Sequence, residues 1–204
     1  MQIYDNRIYL FLEKTVNFFL LNLIWLLASL PIITSFPATN ALYAVIHDWR
    51  NDKATGVFRP FFHHFRKNFL KSFWIGCIWF FTVFILCLDF VLIHEYETGW
   101  SYMALLSFLF LLLMIVLFMT AYLIPISVLY PLSLFQTFKQ SFFYSLMFFP
   151  TTIMIIGLIS ISVLIVLFYP IAAFFLFSFV TLIIHRLIDR MIIKVEKLLN
   201  NVRL

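Results

Sequence analysis

"SLMFFPTTIMIIGLISISVLIVLFYPIAAFFLFSFVTLII", Ser145 to Ile184, contains no charged residue. A helix crosses the hydrocarbon core of a bilayer with about 20 residues, so this stretch is twice the length of one crossing. Pro170 lies inside it. Proline lacks an N–H and clashes with the preceding turn, so the stretch reads as two spans joined by a tight hairpin near Tyr169. One unbroken helix would overrun the membrane.

The rest of the chain has the same character. Its 204 residues are 64% hydrophobic and 11% charged, with a mean hydropathy of +1.05. Soluble domains carry about 25% charged residues, and no water-soluble core hides this much apolar surface. The predicted fold is an all-α polytopic transmembrane helical bundle, a single integral membrane domain over 1–204, with about five spans. The first runs from Val16 to Thr34, the second from Phe73 to Ile93 and the third from Tyr102 to Ile124. The fourth and fifth divide the opening stretch. The first apolar run is long and no small-residue cleavage site follows it, so it reads as a retained span.

Lysine and arginine set the predicted orientation. Arg50, Lys53, Arg59, Arg66, Lys67 and Lys71 follow the first span, Lys139 follows the third, and Arg186, Arg190, Lys194, Lys197 and Arg203 fill the tail. The loop after the second span carries Glu95 and Glu97 and no basic residue. The basic segments and the carboxyl terminus are therefore expected in the cytoplasm, and five crossings place the amino terminus outside. The net charge of +5 clusters beside apolar spans, which points to anionic lipid at the cytoplasmic face and not to nucleic acid. Leu187, Ile188, Met191, Ile192, Val195, Leu198, Leu199 and Val202 recur at helical spacing. They predict that the fifth span continues as an amphipathic helix, on the lipid surface, on the basic loop or against a partner.

Two motifs occur twice. "LPIITSFP", Leu30 to Pro37, is echoed by "IPISVLYP", Ile124 to Pro131, and "FRKNFLKS", Phe65 to Ser72, by "FKQSFFYS", Phe138 to Ser145. Each proline pair follows a span entering the cytoplasm, and each Phe-basic motif precedes one leaving it. This predicts a parallel internal repeat, with copies at roughly 16–93 and 102–168, then the fifth span and tail at 170–204. Pro31 cannot continue a helix, whereas Pro37 suits the first turn of a new one, with Ser35 or Phe36 as its cap. Thr34, Ser35, Thr39 and Asn40 can bind the backbone groups that the break frees, as lipid requires. The same polar cluster, facing Pro125 and Pro131, would alternatively line a solute path.

The sequence has no HExxH, no Gly-rich phosphate loop, no CxxC and no Ser/His/Asp grouping. No enzymatic activity, metal or cofactor is expected. Cys77 and Cys87, ten residues apart on one predicted helix, read as small packing residues. Adjacent His63 and His64 point different ways on a helix and make a poor metal pair. Asp89 is the one acid inside a span, a functional candidate by its cost that also sits near enough the outer end to reach the interface or His94. His185 and Asp189, at i,i+4, predict a clasp on one helix face. Arg66, Lys67 and Lys71 flank Phe65, Phe69 and Phe73, forming a basic cytoplasmic face for anionic lipid or for a docked cytoplasmic partner.

"NLIWLLASLPIITSFPATNALY" followed by "FRPFFHHFRKNFLKSFWIG" resembles the YesL-like (DUF624) family of bacterial membrane proteins. The residues that fit are Asn22, Trp25, Leu30, Pro31, Pro37, Ala38, Thr39, Ala41, Leu42, Tyr43, Phe65, Asn68 and Phe69. Phe36 departs, where the family usually has Gly, and so does Asn40, where a small residue is common. The resemblance implies a multi-pass protein of the bacterial cytoplasmic membrane with no settled reaction. It further implies a non-enzymatic accessory or regulatory role in carbohydrate uptake, with a carbohydrate transporter or its ATP-driving subunit as partner. The alternative is a small-solute transporter or channel built on the paired proline breaks.

Overall fold

The computed structural model describes residues 2–53, 56–93 and 99–202, with side chains over 12–53, 56–93 and 99–194. These residues form seven α-helices: α1 Gln2–Ser29, α2 Ser35–Arg50, α3 Phe58–Ile93, α4 Trp100–Leu129, α5 Leu134–Met147, α6 Phe149–Phe168 and α7 Ala173–Val202. Short 3-10 turns at Ile32–Thr34 and Pro170–Ala172 precede α2 and α7. No strand occurs among the described residues. Five helical segments are long and apolar enough to cross a membrane, in α1, α3, α4, α6 and α7. Their outer surfaces are apolar, with Phe84, Phe90, Phe110 and Leu164 all exposed, as expected where the solvent is lipid. The hairpin expected near Tyr169 is present, because α6 stops at Phe168 and α7 starts at Ala173.

The centre of the bundle is α2, a helix too short to be a crossing. It buries Pro37, Ala38 and every residue from Asn40 to Ile46. Helices α1, α3, α4 and α7 all pack on it. Small Ala38, Ala41 and Ala44 let neighbouring backbones approach closely, as bundles in lipid favour. α2 runs back along α1: Trp25 Nε1 donates to Thr39 Oγ1 at 3.1 Å, and the Phe18 and Trp49 rings meet edge-on at 5.5 Å. The Phe18 part of α1 therefore lies at the Arg50 end of the hairpin.

The proline echo has two different outcomes. At Pro31 the backbone is extended (φ −73°, ψ 121°) and α1 has ended. Pro125 instead lies buried inside α4, which continues to Leu129. The second break comes at Pro131, and Ser133 then opens α5 with a capping box to Gln136. Pro37 stands in the first turn of α2 as expected, but the cap is Thr34, which makes no side-chain capping bond. Of the Phe-basic motifs, the first lies within α3 and the second within α5. The fourth crossing starts at Phe149 and not at Ser145, because Pro150 forces a break at Phe148. Thr152 Oγ1 closes that break onto Ser145 O at 2.9 Å.

Phe36 is accommodated by a glycine on the facing helix. A Cβ on Gly76 would lie 3.0 Å from the Phe36 Cβ, Cγ and Cδ2, and the Phe36 ring also packs on Trp79 at 5.6 Å. Gly76→Ala should lower apparent thermal stability in detergent by about 1–3 kcal/mol through overpacking. Phe36→Ala in the same chain should remove most of that penalty, and a double-mutant cycle measures the relief.

Candidate functional site: the polar seam of α2

Asn40, Tyr43, His47 and Arg50 recur at three- and four-residue spacing and line one stripe of α2. Asn40 reaches α3 and α4, while Tyr43, His47 and Arg50 reach α7. At the upper end the proline turn meets several of its own polar groups, while the Ser29 hydroxyl is buried without a partner. The single proton of Thr34 Oγ1 is shared between Ala28 O at 2.7 Å and Pro31 O at 2.8 Å, and Ser35 Oγ donates to Ile32 O at 2.6 Å. Thr39 Oγ1 donates to Ser35 O at 2.7 Å. Thr34, Ser35 and Thr39 thus bond to backbone carbonyls, whereas Asn40 bonds only to side chains of other helices.

Below the turn, Asn40 joins α2, α3 and α4. Its Nδ2 donates to Ser127 Oγ at 3.2 Å, and its Oδ1 accepts from Asn68 Nδ2 at 3.3 Å. Lys71 Nζ donates to Ser127 O at 3.3 Å. The helical partner of that carbonyl would be the N–H of residue 131, which is Pro131 and has none. Lys71 thus occupies the acceptor that the proline frees and sets its charge at the C-terminus of α4, where the helix dipole favours a cation. The predicted basic face is therefore divided: Arg66 and Lys67 are exposed, while Lys71 is half-buried and turned inward.

At the basic end a chain of polar groups ties α2 to α7. His47 Nδ1 and His185 Nε2 are 2.9 Å apart. His185 Nδ1 lies 2.9 Å from Asp189 Oδ2, and Arg50 meets the same oxygen at 3.4 Å. The Asp189 contact is electrostatic, since His185 Nδ1 has no aligned hydrogen bond. It nevertheless favours the proton on Nδ1, which leaves His185 Nε2 to accept from His47 Nδ1–H. His185 is 1% exposed, and the Tyr43 ring packs on it at 5.2 Å. Burial foremost, then Lys53, holds His47 below its ordinary 6.5, while Asp48 and Asp189 pull the other way. Asp48 itself meets His64 Nε2 at 2.6 Å.

Of the remaining candidates, Asp89 is half-buried and makes no hydrogen bond or ion pair among the described residues. His94, Glu95 and Glu97 lie outside them, as does Arg203. Cys77 and Cys87 are free thiols. No group of three or more metal-ligating side chains occurs among the described residues. One cavity of about 360 Å³ lies between α3 and α4, lined by Leu86, Phe90, Leu109 and Phe110. Another of about 530 Å³ lies between α1 and α7, lined by Lys14, Phe18, Phe175 and Leu176 among others. Both are apolar, and neither is lined by the prolines or Asn40. Beside the proline pairs, Asn40 is 1% exposed and Tyr122 is fully buried.

The seam lies largely on the segment whose sequence resembles a family. Residues 18–90 match the model of a family described as a protein of unknown function, DUF624. The family resemblance read from the sequence is borne out there. No curated protein and no solved structure matches the chain. The DUF624 segment covers α2, most of α3 and the later part of α1, and its motif residues have structural uses. Asn22 Oδ1 accepts from Ser178 N at 3.0 Å, fastening α1 to α7, and Trp25 and Thr39 fasten α1 to α2.

Sequence reasoning found the His185–Asp189 clasp and missed its extension to His47 and Arg50. The available signal was the spacing of Asn40, Tyr43, His47 and Arg50 on one helical stripe. Two measurements check the seam. Lys71→Met should cost about 1–3 kcal/mol, the penalty of a buried carbonyl left unpaired, read as apparent stability in detergent. Because His47 is held below its ordinary value, the folded state binds fewer protons than the unfolded one near pH 6. His47 therefore stabilises above pH 6.5 and loses that contribution as pH falls further. The thermal midpoint should drop between pH 7.5 and 5.5, and His47→Gln should flatten the drop.

Proposed function

We propose that the protein is a non-enzymatic accessory or regulatory component of the bacterial cytoplasmic membrane, linked to carbohydrate uptake. Its basic end faces the cytoplasm in this reading, following the distribution of lysine and arginine. The observation that carries it is the filled centre. A conducting protein needs a polar path at membrane depth, and α2 occupies that position with packed side chains, Ala41, Leu42 and Val45 being 0% exposed. The alternative, solute movement along the paired proline breaks, loses its main support because the groups around those breaks bond to one another. Exposed Arg66 and Lys67 supply a surface for anionic lipid or for a transporter's ATP-driving subunit. The carbohydrate link rests on the family resemblance alone.

Deleting the gene should reduce uptake of one carbohydrate class at unchanged abundance of the transporter, and the intact gene should restore it. The purified protein in lipid vesicles should pass no solute from a broad panel. Normal uptake across all carbohydrates tested rejects the accessory reading, and specific flux in vesicles replaces it with the transport reading.

A further inference from the structure

We propose that α1 and α2 form a re-entrant hairpin, entering the bilayer from the face that carries Arg50 and returning to it with the tip Leu30–Ile33 inside the acyl layer. The partner of this tip is lipid hydrocarbon.

Three independent observations carry the proposal. The first is length. No Asp, Glu, Lys or Arg occurs between Lys14 and Asp48. The charge-free legs, Thr15 to Ser29 and Ser35 to Ile46, are roughly 22 Å and roughly 18 Å long at 1.5 Å per residue, against a core of about 30 Å. α1 reaches the 18-residue length of a crossing only by drawing in Glu13 and Lys14; with those charges held at the face, each leg penetrates and neither emerges. The second is depth. Phe36, at the top of α2, packs on Gly76, Trp79 and Phe80 of α3. α3 then continues to Ile93, roughly 20 Å further along its axis. The tip is thus overtopped by a helix that does cross. The basic residues of α3 lie the other way, where Asp48 of α2 meets His64.

The third is the chemistry of the tip. Leu30, Ile32 and Ile33 are 76%, 72% and 63% exposed, and the turn carries no charge. In water this is a poor loop; in lipid it is a compatible one, provided the backbone is satisfied. Several of its groups are met from within, although the Ser29 hydroxyl beside it is buried without a partner. Leu30 N donates to Leu27 O at 3.4 Å and Thr34 N to Pro31 O at 2.9 Å, while the Thr34 and Ser35 hydroxyls serve Ala28, Pro31 and Ile32. The two prolines remove two donors that would otherwise need partners. Because α1 pairs antiparallel with α2, the residues before Lys14 lie on the same face as Arg50.

The test uses single-cysteine variants of the full chain in a C77A/C87A background, in cells and in inverted vesicles. Q2C and E97C should react with a membrane-impermeant maleimide from opposite faces. I32C should react from neither face, and a nitroxide attached there should collide with oxygen and not with a water-soluble nickel chelate. L30C repeats the readout should I32C fail to insert. Labelling of Q2C and E97C from one face overturns the proposal in favour of five full crossings. Labelling of I32C or L30C by the impermeant reagent from either face overturns it by placing the tip in water.

Discussion

A hydrocarbon solvent offers no hydrogen bonds, so every polar backbone group at membrane depth must find a partner inside the protein. This constraint governs α2 and, through it, the bundle. Two prolines break the chain at the start of α2, two more disturb α4, and acceptors freed there are met by a backbone N–H at Leu27, by a hydroxyl at Ala28 and by an ammonium group at Ser127. Thr34 serves Ala28 and Pro31, and Lys71 serves Ser127. A helix with Asn40 and His47 can sit at the most enclosed position because its neighbours supply complementary groups, while the Tyr43 hydroxyl is buried without a partner.

The polar seam is better understood as fastening than as a path. Its members pair in sequence down one stripe of α2, first with α3 and α4 through Asn40, then with α7 through His47 and Arg50. Polar bonds between helices in lipid are individually modest, but they fix register where apolar packing alone is permissive. The outer halves of α3 and α4 have no such polar column beside them. They enclose an apolar cavity and present phenylalanine and leucine to the surroundings. Specificity is thus concentrated near the basic end, and the opposite end is held by packing.

Much of the architecture was legible in composition. The five apolar segments, in α1, α3, α4, α6 and α7, follow from charge-poor length, and the turn at Tyr169 follows from Pro170. The amphipathic tail is a continuation of α7, with Ile188 and Met191 buried, as its periodicity required. The role of α2 was not legible. Its alternating polar residues and its closing "HDWR" resemble a cytoplasmic segment, and nothing local reveals that four helices enclose it. The two proline pairs look alike in sequence yet act differently. Pro31 follows the end of α1, whereas Pro125 lies in a helix packed on several sides and costs it one bond without stopping it.

What the sequence by itself determined is the solvent. With this little charge and this much apolar length, the chain can only fold in lipid, as helices whose ends are marked by proline and basic residues. What the tertiary structure decided is which polar residues meet. Asn40 and Ser127 are 87 positions apart, and His47 and His185 are 138 apart. Hydrophobic periodicity identifies a buried face but not the helix that covers it. Partner choice in a bundle depends on the shape and hydrogen-bonding of several faces at once, and those exist only after the helices have packed.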